Sequence, residues 1–358
     1  MRIAVLGVGL IGGSVGLAAR EYLEGAEVAG FDRDPEVLEK AVRAGALDAA
    51  AASVAEAVEG AGACFVCVPV GGLLELVDEA IARAGEACVI TDVGSTKRLI
   101  AHAVTDERYV GGHPIAGAET SGVDNARADL FQGAPWYLTP GERSSGLLYE
   151  RLHRIVVSFG ARPVAIDATT HDRLLATVSH LPHVLANVLV TQAAERLAEE
   201  GEALPRVGPS FRDAARVAGA NPAIWTDIYL TNGEAIAAEL EEVAGRLDQI
   251  ATSLRAGDAA TIESWNAAAR EERRRLLDAD LAGGVVEELR LSVPNRPGIV
   301  AQVALALGRA GVNIVDLTLD PAADMRSGAM TLWLAGEGAA EKARRLIEEL
   351  GFPAATAS

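Results

Sequence analysis

What most restricts the fold of this chain is its amino-terminal segment. Arg2–Leu6 reads as a buried parallel strand that leads straight into Gly7-Val8-Gly9-Leu10-Ile11-Gly12, and a helical pattern then runs to Glu21. A second strand, Glu27–Phe31, ends at Asp32, twenty residues beyond Gly12. Three glycines at this spacing recur by chance, but here they have a strand before, a helix after and an acid at the end of the next strand. That is the context of a dinucleotide site. Gly7 permits the tight turn, Gly9 lets the backbone approach a pyrophosphate, and Gly12 allows close helix–strand packing. At Leu10 and Ile11 the helix start turns its unpaired N–H groups toward the phosphates. The Asp32 carboxylate accepts from ribose hydroxyls and repels a 2′-phosphate, which favours NAD over NADP. Arg33 beside it could partly accommodate that phosphate. Asp32 also reads as a cap for the helix that opens at Asp34-Pro35-Glu36.

The alternation of strand and helix continues. Strands are predicted at Ala63–Val68, Ala87–Asp92, Arg108–Gly111, Ala134–Thr139 and Arg162–Ile166, with helices between them. This is the order of a doubly wound α/β domain of Rossmann type, closing near Asp167. In such sheets ligands bind beyond the carboxyl ends of the strands. Val68 and Pro69 lie on that rim. So does Ser95, in Asp92-Val-Gly-Ser-Thr-Lys97, which is most simply the N-cap of a helix over Thr96–Val104. His113 follows on the same rim, in Gly111-Gly-His-Pro-Ile-Ala-Gly-Ala-Glu119. A histidine there can take a proton at neutral pH.

From Thr170 to about Asp280 strand patterns vanish and apolar residues recur at helical spacing. Pro182 is expected to kink a long helix in His180-Leu-Pro-His183. The two histidines share a helix face without a completing Cys or carboxylate, so they read as a polar pair lining a pocket and not as zinc ligands. Asp213 and Arg216 fall on one helix face, either as an exposed ion pair or as an Arg oriented to grip a carboxylate. Helices at Ile228–Leu254 and Asp258–Leu277 are of a kind that packs against a twin, which predicts a homodimer. Strand character resumes near Val285, in the pattern βαββαβ. The domains are thus 1–167, 168–283 and 286–358.

The formal net charge of −18 and the lack of a long basic track argue against nucleic acid. No apolar run reaches about 18 residues and the chain opens on a strand, so neither a membrane span nor a signal peptide is expected. The three cysteines, Cys64, Cys67 and Cys88, fit a reducing cytoplasm. Cys64 and Cys67 lie on one strand with opposite facing, against a redox or metal pair. No metal site is expected.

The C-terminal stretch resembles the ACT domain, an amino-acid-sensing module, at Pro294-Asn295-Arg296-Pro297-Gly298-Ile299 and at Gly311-Val-Asn313-Ile314. The resemblance implies an effector amino acid bound at these two segments; a purely structural dimerisation module is the alternative. The whole chain resembles the bacterial prephenate dehydrogenases of tyrosine biosynthesis, at Gly7–Gly12, Asp92–Lys97, Gly111–Gly117, Ser179–His183 and Asp213–Arg216. In that family prephenate is oxidised by NAD with loss of its ring carboxylate, giving 4-hydroxyphenylpyruvate. The resemblance implies His113 as the catalytic histidine, accepting the hydrogen bond of the substrate hydroxyl, with Ser95 orienting it. It implies Arg216 on a substrate carboxylate with Asp213 behind it, His180 and His183 in the substrate pocket, Glu119 near the pocket mouth, and tyrosine as effector. Ala118 stands where a hydroxyl residue is common. Arogenate, with an amino group in place of the keto group, is the alternative substrate, and a non-catalytic sensor is a distant one. A β-hydroxyacid dehydrogenase would use a lysine on the helical domain, and residues 168–269 contain none.

Overall fold

The computed structural model describes residues 1–117, 120–199, 208–281, 286–322 and 326–356. The chain forms two compact units, Met1–His171 with Val285–Ser358, and Asp172–Gly284. The C-terminal module therefore belongs to the same unit as the nucleotide-binding half.

In the first unit β1 (Arg2–Leu6), β2 (Glu27–Phe31), β3 (Ala49–Ala50), β4 (Ala63–Val66) and β5 (Val89–Asp92) form a parallel sheet in the order β3-β2-β1-β4-β5. Their continuous apolar runs follow from burial on both faces, since parallel strands need crossover helices that cover them. Cys64 belongs to the buried cluster that holds Ala4, Leu6 and Ile90, whereas Cys67 packs against a separate cluster, the one that holds Val5 and Phe65. Burial raises the thiol pKa of both, and that of Cys88 to about 11, so none is a poised thiolate.

Beyond β5 lie β6 (Val110–Pro114), β7 (Pro135–Pro140) and β8 (Arg162–Ala165), with β6 antiparallel to β7 and β7 parallel to β8. A parallel bridge between Ile90 and Tyr109 links them to β5. The β6 strand starts later than the expected Arg108–Gly111. The Arg108 carbonyl still accepts from the Ile90 N–H of β5 at 2.9 Å, while its guanidinium bonds the Asp106 carboxylate and the carbonyls of Ile81 and Ala84, all at 2.9 Å. His113 consequently sits within the strand, opposite Tyr137, and not in a loop past its end.

The C-terminal module contains β9 (Val286–Pro294), a helix Ile299–Arg309, β10 (Asn313–Pro321), β11 (Ser327–Ala335), a helix Ala339–Glu349 and β12 (Ala354–Thr356). Its antiparallel sheet has the order β10-β11-β9-β12, with β12 at an edge just after Pro353. The module docks on the helix Gly146–Ser158 and the turn before it. His153 Nε2 meets Asp316 Oδ1 at 2.6 Å, the Leu319 N–H donates to Glu150 Oε2 at 3.0 Å, and the Gly298 N–H donates to the Ser144 carbonyl at 2.7 Å. Gly298 has φ +79, and a Cβ there would lie 1.8 Å from the Glu142 carbonyl oxygen. Only glycine serves that turn.

The second unit is helical. A π-helical turn, Ala176–His180, runs into the helix Leu181–Glu199. Pro182 lacks the N–H that an α-helix would bond to Val178, and the widened turn just before it absorbs the mismatch. Ala168–Leu197 is continuous helix, long and apolar enough by length and composition to cross a bilayer, although His171, Asp172, Arg173, His180 and His183 interrupt its apolar character. The long helix expected over Ile228–Leu254 is two, Pro222–Thr231 and Gly233–Ala256, broken at Asn232. The break has a cause in side-chain chemistry. Asn232 is buried, and its amide donates to the Asp172 carbonyl at 2.7 Å and meets His180 Nδ1 at 3.1 Å.

Candidate active site

The glycine-rich turn is built as its spacing demands. Gly7 has φ +89, and a Cβ there would come within 2.6 Å of the Cys67 carbonyl oxygen. At Gly12 a Cβ would stand 2.0 Å from the Gly7 carbonyl oxygen, so helix and turn touch backbone to backbone. Gly9 differs, because a Cβ there would meet nothing within 4 Å. Its smallness serves the approach of a ligand and not packing. The helix Leu10–Tyr22 has no side-chain cap on its first turn, which leaves the N–H groups there to an anion.

Asp32 ties the end of β2 to this turn, with Oδ2 accepting from the Val8 N–H at 2.8 Å and Oδ1 from the Asp34 N–H at 3.0 Å. The cap of the next helix is Asp34, which accepts from the Glu36 N–H at 2.9 Å, and not Asp32. Arg33 is exposed beside it. Val68 lies against Gly7, and Pro69 starts the helix Val70–Arg83 on the same rim. Turn, open helix end and acid together fit a dinucleotide.

Beneath His113 lies an ion pair that spacing alone does not reveal. Asp92 and Lys97 are both fully buried and bonded to each other. The Asp92 carboxylate also accepts from the Gly94 N–H at 2.9 Å, the Tyr109 hydroxyl at 2.8 Å and the Gly112 N–H at 3.2 Å. Burial and then the neighbouring Asp92 charge raise the Tyr109 pKa, so its hydroxyl stays a donor. One carboxylate thus clamps the end of β5 to the strand that carries His113. Drawing Lys97 inward also displaces the helix start. The helix is Arg98–Ala103 with Lys97 in the cap position, so Ser95 is not its N-cap. Ser95 is a half-buried residue in the bend before it.

His113 itself is buried. Its Nδ1 lies 2.9 Å from Nε2 of His171, another buried histidine, which the sequence reading did not single out. The Tyr137 ring meets His171 edge-on at 5.4 Å. Ala118 and Glu119 lie outside the described residues.

In the helical unit His183 stacks on Trp225 at 3.5 Å between ring centroids, and His180 meets the same indole edge-on at 5.9 Å. The two histidines do share a face, and Trp225 defines it. Asn187 donates to the Tyr229 oxygen at 3.4 Å, and the Tyr229 hydroxyl bonds His183 Nδ1. With Nδ1 accepting, the His183 proton rests on Nε2. That nitrogen is buried beside the Val217 carbonyl without closing a hydrogen bond to any described residue. Burial lowers the His183 pKa, keeping the ring neutral.

Arg216 begins the turn Arg216–Gly219, which packs against the helix of His183. Both Arg216 and Asp213 are exposed, and no ion pair joins them among the described residues. The idea of Asp213 orienting Arg216 therefore has no contact behind it. Among the described residues no cluster of three or more His, Cys, Asp or Glu is placed to hold a metal ion.

Comparison with known proteins agrees with this arrangement. Residues 15–165 match the family described as prephenate dehydrogenase, nucleotide-binding domain, and residues 167–266 match prephenate dehydrogenase, dimerization domain. The chain belongs to the prephenate dehydrogenase family. It is 31% identical over 356 residues to the prephenate dehydrogenase of Bacillus subtilis, covering 97% of this chain and 95% of that protein. Among solved structures of the family, prephenate dehydrogenase from A. aeolicus in complex with hydroxyphenyl propionate and NAD+ is 27% identical. It has a TM-score of 0.69 and covers 76% of this chain and 98% of its own. The Synechocystis arogenate dehydrogenase is also 27% identical, with a TM-score of 0.67, over 77% of this chain and 100% of its own. Neither family match extends past residue 266, so the C-terminal module lies outside both.

Proposed function

We propose that this chain is an NAD-dependent dehydrogenase that converts prephenate to 4-hydroxyphenylpyruvate and carbon dioxide, within tyrosine biosynthesis. What carries this reading is one observation: an uncapped glycine-rich turn of dinucleotide geometry and a buried histidine on β6 belong to one compact unit. NAD, when bound, supplies the hydride acceptor. Asp32 would accept from the adenosine ribose hydroxyls, and Gly9 with the first helical turn would hold the pyrophosphate.

His113 performs the proton transfer. With Nδ1 donating to His171, Nε2 is unprotonated and accepts the C4 hydroxyl proton of the substrate as that carbon loses its hydride. The C4 carbonyl forms, the ring carboxylate leaves as carbon dioxide, its bonding pair aromatises the ring, and the C4 oxygen takes back a proton to become the phenol hydroxyl. Ser95, in the bend between β5 and the next helix, is assigned to the hydroxyl and nicotinamide side. Arg216 grips a substrate carboxylate, and its exposed guanidinium suits a doubly charged anion in a chain of net charge −18. His183 presents Nε2–H as a donor, with His180 behind it on Trp225. Asp213 and Glu119 remain assigned to the substrate side by family resemblance alone.

The second reading is arogenate as substrate. The donor tautomer of His183 favours prephenate wherever it faces the side chain, because a keto oxygen accepts and an ammonium cannot.

The C-terminal module is assigned as an ACT-type domain that senses an aromatic amino acid, tyrosine first, through Asn295, Arg296, Pro297, Gly298, Ile299, Asn313 and Ile314. Supporting this, Gly298 bonds Ser144, whose hydroxyl donates to the Tyr109 carbonyl at 2.6 Å, and Tyr109 bonds Asp92 below β6. A loop rearranged by an effector would thus pull on the clamp under His113. The helical unit is assigned to homodimerisation, in keeping with exposed Val188, Leu189, Leu230, Leu247 and Leu276. The setting is the cytoplasm.

The test is NADH production by the purified protein with prephenate and arogenate in parallel, each with NAD and with NADP. Activity with prephenate and NAD, lost in His113→Asn with NAD affinity retained, is expected. No activity with either substrate would leave a non-catalytic sensor as the better reading.

A further inference from the structure

We propose that His171 is a positioning residue that fixes the tautomer of His113 and stabilises the imidazolium formed when His113 takes the substrate proton. The proposal rests on the assignment of His113 as the base, and begins from the hydrogen bond between His113 Nδ1 and His171 Nε2 at 2.9 Å.

A hydrogen bond between two imidazole nitrogens needs one donor and one acceptor, so only two neutral arrangements exist. In one, His171 Nε2–H donates. The His113 proton then sits on Nε2, and His113 faces the substrate as a donor, unable to accept a proton. In the other, His113 Nδ1–H donates to an unprotonated His171 Nε2, and His113 Nε2 is unprotonated and able to accept a proton. Only the second supports the chemistry. It requires His171 to be neutral, with its own proton on Nδ1.

As His113 accepts the hydroxyl proton, the same Nδ1–H becomes part of a cation, and its bond to His171 becomes charge-assisted and stronger. His171 cannot share that charge, since two buried cations at hydrogen-bond distance repel. A neutral acceptor also does not trap the proton, which is needed again at the C4 oxygen when loss of carbon dioxide turns the carbonyl into a phenol. His171 here does for His113 what a carboxylate does for the histidine of a hydrolase triad, without adding a negative charge.

The fold holds His171 for this role. Its helix, Ala168–Leu175, is capped by Asp167, whose Oδ1 accepts from the Thr169 and Thr170 N–H groups at 3.1 and 3.0 Å. The His171 N–H bonds the Asp167 carbonyl at 2.9 Å, which sets the residue in the first turn of that helix. The side chain has no solvent exposure and its ring is packed edge-on by Tyr137, the cross-strand neighbour of His113. Among the described residues, the Asp167 carboxylate at the helix start is engaged by backbone N–H groups, and Asp92 and Lys97 are paired below β6.

His171→Leu removes the acceptor while filling the space, and His171→Gln keeps an oxygen that can accept from Nδ1–H. With saturating prephenate and NAD, His171→Leu is expected to lower kcat by roughly 10- to 100-fold. The acid limb of its kcat/KM profile should move to lower pH, because the imidazolium has lost its partner. NAD affinity, read by fluorescence titration, should stay within about twofold, and His171→Gln should recover most of the loss. Nitrogen-15 NMR of histidine-labelled protein gives a second reading without turnover: His113 should carry its proton on Nδ1 in the parent and on Nε2 in His171→Leu. Wild-type kcat and an unmoved pH limb in His171→Leu would overturn the proposal. So would equal loss in both variants with an unchanged pH profile, which marks a packing role. In either case an active parent and an inactive His113→Asn variant would leave the dehydrogenase reading standing. An inactive parent would instead remove both.

Discussion

Lys97→Met is the perturbation that tests most directly how the site is supported. Both members of the Asp92–Lys97 pair are wholly shielded from water. Removing the ammonium leaves the Asp92 carboxylate buried with three neutral donors, Gly94 N–H, Tyr109 O–H and Gly112 N–H. Breaking a buried pair on one side costs about 3–5 kcal/mol, because the remaining charge cannot return to water. For a unit of this size that lowers its Tm by about 6–20 °C. The loss should appear in the transition of the nucleotide-binding unit, followed by urea titration and by thermal scans. Asp92→Asn combined with Lys97→Met removes both charges and keeps an acceptor for Tyr109 and Gly112, so the double variant should be more stable than Lys97→Met alone. A Lys97→Met protein within about 1 kcal/mol of the parent would show that the pair carries little. A double variant no better than the single one would point to lost packing and not to an unpaired charge.

Three other outcomes are expected. Gly12→Ala should abolish NAD binding in a fluorescence titration, because the new Cβ would sit 2.0 Å from the Gly7 carbonyl oxygen and force the turn apart; unchanged affinity would mean that the turn is softer than its geometry implies. Arg216→Ala should raise KM for prephenate by about 10- to 100-fold with NAD affinity unchanged, the loss of one charge-assisted contact; an effect confined to NAD would take Arg216 out of the substrate site. His183 has its pKa lowered by burial, so below the ordinary value of 6.5 the unfolded chain binds more protons than the folded one. Stability of the helical unit should therefore fall as pH drops below 6.5, and level off once pH passes below the folded-state value. His183→Asn should flatten that decline in pH-dependent denaturation, and an unaltered slope would show that His183 is not its source.

The comparison of sequence with structure turns on particular residues. The glycine-rich turn was legible because each glycine answers to a local need, a positive φ at Gly7, a close contact at Gly12 and an open approach at Gly9. His113 stood out for its residue type and its rim position, yet its inclusion in β6 depended on Tyr137 across the ladder. Ser95 misled as a helix cap because the burial of Lys97, a tertiary event, moved the helix start. The break at Asn232 has a local signal in Asn232-Gly233, and it is fixed by contacts made to residues 52 and 60 positions away.

By itself, the sequence determined what depends on neighbours along the chain: the strand–turn–helix order, the dinucleotide turn, the helical middle and the final βαββαβ pattern. Periodicity and backbone sterics act over a few residues, and a linear reading captures them. The tertiary structure alone decided which groups share a proton. His113 meets His171 across 58 positions, His183 meets Tyr229 across 46, and Tyr109 meets Asp92 across 17. Hydrogen bonds of this kind require a few ångströms in space and nothing in sequence, so only the folded chain could bring those partners together.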